Sequence, residues 1–300
     1  MSPASEADRC LAPRFRAGLV QMCTGRDVER NLATAGRLVR EAAAQGAHYV
    51  QTPEVTTLME MDRKRLFTAV AAEDGNPAIT HFSGLARELG IWLHVGSMAV
   101  QVEPERLANR ALLFRPDGGL AARYDKIHMF DVELPGGERY RESRNYRPGD
   151  EAVLVRLPWG NLGITICYDM RFPGLYRTLA HAGAEIIAVP SAFTVPTGIA
   201  HWHALLRARA IETQCFVLAA AQAGEHESGR KTYGHSIAIS PWGEVIAEAD
   251  HMAESVVLVD IDMARVIEAR QRVPSLTHDR PFRVAPAAGV DPFPGTVGFG

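Results

Sequence analysis

The stretch Gly163-Ile164-Thr165-Ile166-Cys167-Tyr168-Asp169-Met170-Arg171-Phe172-Pro173 constrains this 300-residue chain more than any other. Its first half is a short β-branched run of the kind that fills a buried strand. A cysteine ends the run, and Pro173-Gly174 break the chain before a helical pattern from Leu175 to Ala182. A thiol at such a strand-to-helix turn can act as a nucleophile, and backbone N–H groups near a helix start can hold an anion. Buried cysteines that only pack are also common, so this stretch alone leaves packing and chemistry both open.

The flanking sequence supplies strands and helices in alternation. Arg16 to Cys23 reads as a strand, and Asp27 as the cap of a helix through Gln45 that Gly46 stops. Ala47 to Thr52 is a second strand, ended by Pro53-Glu54. Asn76-Pro77 opens another helix, carrying Ile79, Phe82, Leu85 and Leu89 and stopped by Gly90. Ile91 to Val102, Arg110 to Phe114 and Leu120 to Lys126 read as strands, the last two joined by the turn Pro116-Asp117-Gly118-Gly119. Ile127 to Asp150 reads as a long polar loop, and loops of that length inside domains are usually functional or disordered. Beyond it come strands at 152–157, 163–167 and 185–190 and a helix near His201 to Gln214. Four more strands follow at 216–221, 233–240, 245–249 and 255–261. A single α/β domain with more than one sheet is the simplest account. It is expected over residues 14–280, with a flexible N-terminus at 1–13 and a Pro/Gly-rich tail or arm at 281–300.

Composition narrows the function. A hydrophobic content of 47% over this length gives a core that needs no disulfide or metal staple. The formal charge of −3 argues against a nucleic-acid partner held by bulk electrostatics. Cys10, Cys23, Cys167 and Cys215 lie far apart, which suits free thiols in a reducing compartment. The first 13 residues show no apolar signal-peptide core, and no stretch approaches the roughly 18 apolar residues of a membrane span. A soluble cytoplasmic protein with no membrane partner is expected.

Three polar residues stand at the ends of expected strands: Glu54, Lys126 and Cys167. In sheets covered by helices, sites gather beyond the carboxyl ends of strands. A carboxylate there can take the thiol proton, an ammonium can hold a developing oxyanion, and sulfur can attack an acyl carbon. A free thiol with pKa near ~8.5 is only a few per cent thiolate at neutral pH, so it needs such a base. On spacing alone, Glu54 and Lys126 read equally as exposed charges. His201-x-His203 suggests a metal at first sight, but i and i+2 point to different faces of a helix and no third ligand is suitably spaced. No metal or cofactor is therefore expected. GxSxG, P-loop, HExxH and dinucleotide fingerprints are missing from the sequence.

Taken in order, several segments resemble the carbon-nitrogen hydrolase (nitrilase) superfamily. They are Thr52-Pro53-Glu54, Tyr124 to Asp131, Gly163 to Pro173, Pro190-Ser191-Ala192-Phe193-Thr194, His201-Trp202, Arg207 to Gln214, Gly234-His235-Ser236 and Pro241-Trp242-Gly243. The resemblance implies a four-layer α-β-β-α sandwich and at least a homodimer. It makes Glu54 the general base, Lys126 the oxyanion stabiliser and Cys167 the nucleophile. The Tyr168 backbone N–H becomes a second oxyanion donor, and Glu142 a helper that orients amide or water. It disfavours a cysteine–histidine protease built on His128, His201 or His235. Cys167-Tyr168-Asp169 points to an amidase rather than a nitrilase. The stretches 201–215 and 233–236 are most similar to the deaminated glutathione amidase branch, with omega-amidase as the alternative. That branch's small-molecule amide carries an α-keto acid end, so a cation should meet its carboxylate. Arg171 is the nearest candidate, against an ion pair of Arg171 with Asp169 or Glu142, and Phe193 and Thr194 are candidates to line the pocket. A non-catalytic oligomeric scaffold is the reading from another class, and the intact Glu54, Lys126 and Cys167 count against it.

Overall fold

The structure is a computed structural model that describes residues 13–134, 137–251, 254–283 and 285. In chain order its first half comprises β1 (Arg14–Gln21), α1 (Val28–Ala44), β2 (Tyr49–Gln51), α2 (Arg63–Ala69), α3 (Pro77–Leu89), β3 (Trp92–Glu103), β4 (Arg106–Phe114), β5 (Leu120–Asp125), β6 (Asp131–Glu133) and β7 (Arg139–Arg141). Its second half comprises β8 (Val153–Leu157), β9 (Gly160–Ile164), α4 (Pro173–His181), β10 (Ile186–Ala188), α5 (Val195–Thr213), β11 (Phe216–Ala219), β12 (Ala223–Glu225), β13 (Lys231–Tyr233), β14 (Ile237–Ile239), β15 (Val245–Glu248), β16 (Ser255–Asp262) and α6 (Ala264–Arg272).

Two six-stranded sheets result, ordered β16-β1-β2-β3-β4-β5 and β15-β14-β11-β10-β9-β8. Each keeps its parallel pairs in the middle, β1–β2–β3 in one and β9–β10–β11 in the other, with antiparallel strands outside. Strand periodicity decides the layers. Phe15, Ala17 and Leu19 of β1, with Ala111 and Leu113 of β4, share a core with Leu162, Ile164 and Val217 of the second sheet. The alternate residues Val20, Leu112 and Phe114 face α1 and α3 through Leu38, Val39, Phe82 and Leu85. Behind the second sheet, Tyr176 and Leu179 of α4 and Trp202 and Leu206 of α5 close the outer layer. The fold is thus a four-layer α-β-β-α sandwich.

Local signals act as the sequence predicts at several boundaries. The Asp27 side chain accepts from the Arg30 N–H to cap α1, and Asn76 caps α3 through the Ala78 N–H with Pro77 in the first turn. The segment 127–150 differs from expectation. It holds the hairpin β6–β7 and a short 3-10 turn at Glu142–Arg144. Charged pairs such as Arg141 with Glu133 hold this hairpin in place of an apolar stripe, which is why periodicity misses it. Helix α5 begins at Val195, well before His201, because Pro196 is tolerated in a first turn that needs no N–H donor. The strand expected at 233–240 is divided, since Gly234 and His235 both take positive φ between β13 and β14. Helices α2 and α6 are short, at 7 and 9 residues, and add to the elements expected from the sequence.

The N-terminal segment 1–13 and the arm 281–300 lie almost entirely outside the described residues. Among the described residues, Cys23, Cys167 and Cys215 are free thiols, and no helix is long and apolar enough to cross a membrane.

Candidate active site

The two sheets meet in close contact where β2 and β10 end. A side-chain carbon at Gly96 would fall 2.0 Å from the Thr52 carbonyl oxygen and 2.4 Å from Pro190 Cβ, so only glycine fits. That contact brings the residues after Thr52, in one sheet, against those after Pro190, in the other. Glu54 leaves the first sheet at this point and is followed by Val55 with φ 52°, held by a hydrogen bond from the Val55 N–H to Ser97 Oγ at 2.9 Å. Cys167 leaves the second sheet with φ 50°, its N–H donating to the Pro190 carbonyl at 3.0 Å. Left-handed backbone at a non-glycine residue costs on the order of 1–3 kcal/mol, so surrounding bonds must enforce it.

Asp169 does much of this enforcing. It is fully buried, and each of its oxygens accepts two hydrogen bonds. One takes the His128 N–H (3.0 Å) and His128 Nδ1 (2.8 Å). The other takes the Tyr124 hydroxyl (2.6 Å) and the Ile166 N–H (2.9 Å). The carboxylate therefore ties the turn that carries Cys167 to the end of β5, where Lys126 begins its approach. The same turn is a 3-10 helix over Cys167–Arg171, so Tyr168 stands in its first turn.

Lys126 Nζ donates to Glu54 Oε1 at 2.8 Å and to Glu142 Oε1 and Oε2 at 3.1 and 2.9 Å. Asn109 of β4 bridges the same two carboxylates, its Nδ2 lying 3.0 Å from an oxygen of each. Glu54 Oε2 accepts from the Ala192 N–H at 2.9 Å, and Glu142 Oε2 from the Phe130 N–H at 2.7 Å. The two carboxylates thus gather around one ammonium, with a donor facing each of their oxygens. Burial pushes the Glu54 carboxyl up, but the charges of Lys126 and Arg230 outweigh it and leave its pKa below the ordinary glutamate value. Burial alone would lower the Lys126 ammonium, yet Glu142 and Glu54 hold it well above the ordinary lysine value. Cys167 moves the other way. Burial first, then the neighbouring Glu54 charge, pushes its thiol far up, and Lys126 offsets this only in part. Burial thus favours the protonated thiol, while Lys126 favours the charged form of the carboxylate beside it.

These groups open onto one cavity, whose space together with its open mouth amounts to about 870 Å³. Its lining includes Glu54, Lys126, Glu142, Cys167, Tyr168, Phe193 and Thr194, which the structure therefore brings together. Arg171 is not among the lining residues. Its Nη2 lies 3.2 Å from His201 Nδ1, its guanidinium stands beside the Tyr168 and Phe193 rings, and it pairs with neither Asp169 nor Glu142. Sequence reasoning missed Asn109 and Arg230. Asn109 left no clear signal, because Arg106 and Arg110 make β4 read as a mixed strand, and only in the structure is Asn109 seen to be 2% exposed. Arg230 left none, since it sits in a polar turn like many others.

His201 and His203 do not act together. His203 of α5 meets His235 and Glu248 instead, with one ligand-capable atom of each within 4.8 Å of the others. Both rings lie in hydrogen-bond range of Glu248 Oε1, at 2.7 and 2.9 Å, so the cluster satisfies itself, away from the cavity lining.

Comparison with known proteins bears on this arrangement. The model of the family described as carbon-nitrogen hydrolase matches residues 16–271. A deaminated glutathione amidase of Yersinia enterocolitica is 43% identical over 265 residues, spanning 87% of this chain and 92% of its own. An omega-amidase of Xenopus tropicalis is 36% identical, spanning 87% and 93%. The crystal structure of the NitFhit protein of Caenorhabditis elegans superposes with a TM-score of 0.83 at 35% identity. It covers 90% of this chain, which spans 66% of that longer one.

Proposed function

The chain belongs to the carbon-nitrogen hydrolase family and is a hydrolase of non-peptide C–N bonds, and on that premise we propose a cysteine-dependent amidase that works through a thioester. The observation that carries this reading is the meeting of Glu54, Lys126 and Cys167 at one cavity, with Lys126 Nζ 2.8 Å from Glu54 Oε1. Glu54 takes the Cys167 proton as sulfur attacks the amide carbon. The carbonyl oxygen becomes an oxyanion, held by the Lys126 ammonium and the Tyr168 N–H. Glu54 then gives its proton to the departing nitrogen, the C–N bond breaks, and a thioester and free amine result. Water attacks the thioester, Glu54 accepting its proton, and the tetrahedral adduct collapses to carboxylic acid with the proton returned to sulfur. Glu142 fixes Lys126 against the pull of Glu54 and lies where it can orient the amide or the water.

The substrate we propose is deaminated glutathione, from the printed activity of the 43% identical relative. Hydrolysis of α-ketoglutaramate-type amides is the second reading, favoured by the 36% identical omega-amidase. Tyr168, Phe193 and Thr194 form the wall against which either acyl chain lies. The reading needs no cofactor. It includes a cytoplasmic homodimer or larger assembly, supported by Ile199 and Ile211, which stand exposed on α5. Light scattering tests the assembly.

Incubation with each amide, followed by mass measurement and product assay, tests the chemistry. Cys167→Ala abolishes turnover and the acyl adduct while the protein stays folded, whereas Cys23→Ala and Cys215→Ala retain both. Turnover by Cys167→Ala at the wild-type rate would overturn the mechanism. Failure of the wild-type protein to form an acyl adduct with any short amide would favour a non-catalytic scaffold.

A further inference from the structure

Resting on the amidase reading, the structure assigns Arg230 as the anchor for a carboxylate of the substrate, braced by the face of Tyr140. Among the described residues, three cations line the cavity: Lys126, Arg141 and Arg230. Lys126 is shared between two carboxylates, and Arg141 pairs with Glu133 at 2.9 Å. Arg230 has no carboxylate within ion-pair distance among the described residues. Its Nη2 donates to the Ala192 carbonyl at 2.5 Å, and its Nε is buried without a partner. Its guanidinium lies 5.2 Å from the centre of the Tyr140 ring, a distance at which a cation is held over an aromatic face. A planar fork of donors held this way, with most of its N–H groups uncommitted to the protein, matches a carboxylate in shape and charge.

Electrostatics and position support the assignment. Glu54 and Glu142 share the single ammonium of Lys126 in the cavity floor, and the remaining lining carboxylate, Glu60, is already paired with Arg26 at 3.1 Å. An anionic substrate entering this floor meets repulsion unless a further positive charge faces it. Arg230 is near enough to supply that charge, since it helps to depress the Glu54 carboxyl. It also binds the carbonyl of Ala192, the same residue whose N–H holds Glu54 Oε2. One residue of chain therefore separates the anchor from the catalytic base. A carboxylate gripped by Arg230 lies within a few bonds of a carbonyl presented to Cys167, which specifies the amide of a short dicarboxylic acid. The Arg171 guanidinium lies outside the lining, behind the Tyr168 and Phe193 rings and 3.2 Å from His201 Nδ1.

Two measurements decide it. The first compares kcat/KM for glutaramate with that for pentanamide, equal in chain length but uncharged, in the wild type, Arg230→Met and Arg230→Lys. The preference for glutaramate over pentanamide falls in Arg230→Met by roughly 10- to 100-fold, the worth of a charge-assisted pair, mainly through KM, and Arg230→Lys restores part of it. A preference unchanged in Arg230→Met overturns the assignment and reduces Arg230 to a strut for Ala192. The second measures glutarate binding calorimetrically to Cys167→Ala and to Cys167→Ala with Arg230→Met. Binding lost in the double variant supports the anchor, and binding that persists there overturns it, even if neither amide is hydrolysed. Failure of the amidase reading shows separately, as no acyl adduct on Cys167 in the wild type.

Discussion

Replacing Glu142 by Gln tests whether this second glutamate acts by holding Lys126. The substitution keeps size and shape and removes one negative charge. Its cost follows from the donors around it. Oε1 faces Lys126 Nζ and Asn109 Nδ2, while Oε2 faces Lys126 Nζ and the Phe130 N–H. A glutamine has one oxygen and one NH2, so either orientation sets its NH2 against an existing donor. Two hydrogen bonds are lost, at least one of them to a charged group, at about 0.5–1.5 kcal/mol for a neutral bond and about 1.5–3 kcal/mol for a charged one. The expected loss of stability is therefore roughly 2–4 kcal/mol. Released on one side, Lys126 moves toward Glu54 and away from the developing oxyanion. Loss of an aligned oxyanion donor typically costs on the order of 100-fold or more in rate, and partial misplacement should cost roughly 10- to 100-fold. Rapid-quench measurement of acyl-enzyme formation, with urea unfolding of the same variant, separates the two effects. The expected result is slower acylation in folded protein. Acylation at the wild-type rate, with an unshifted unfolding midpoint, would refute the view that Glu142 fixes Lys126.

Asp169→Asn should disturb the same site from beneath, because an amide cannot accept from all four donors around Asp169. A stability loss of about 2–4 kcal/mol is expected, with loss of activity as the Cys167 turn relaxes, checked by thermal unfolding and kcat/KM together. Acidification should expose a second buried group. His94 is fully buried beside the Tyr49 hydroxyl at 2.8 Å, and burial lowers its pKa to about 3. The unfolded chain binds this proton below pH ~6.5 and the folded one does not, so stability falls as pH drops from there toward about 3. At about 1.4 kcal/mol per pH unit, roughly 2 kcal/mol is lost between pH 6.5 and 5. Urea unfolding of the wild type and His94→Gln at both pH values should differ by that amount, and parallel losses would remove His94 as the cause.

The residues proposed to do the chemistry were legible because each ends a strand within a recognisable local pattern. Cys167, Glu54 and Lys126 follow strands whose β-branched and apolar runs can be read directly, and Asp27 and Asn76 mark helix starts by their capping chemistry. Those are local properties, set by a few neighbouring side chains and the backbone between them. What the sequence alone could not decide is everything that depends on two sheets meeting. Gly96 shows its purpose only when Thr52 and Pro190 come within 2.0 and 2.4 Å of where its side chain would be. Asn109 becomes a bridge between two carboxylates only once β4 lies beneath the ends of its neighbours. The proposal of Arg230 beside Arg171 has the same origin. Arg171 is near Cys167 in the chain but turns toward His201 across the outer helix, whereas Arg230 is 63 positions away and arrives through the turn between β12 and β13. Strand ends and caps are written in short-range sequence, whereas the charge that faces a substrate is selected by which distant segments the packed core brings to one wall.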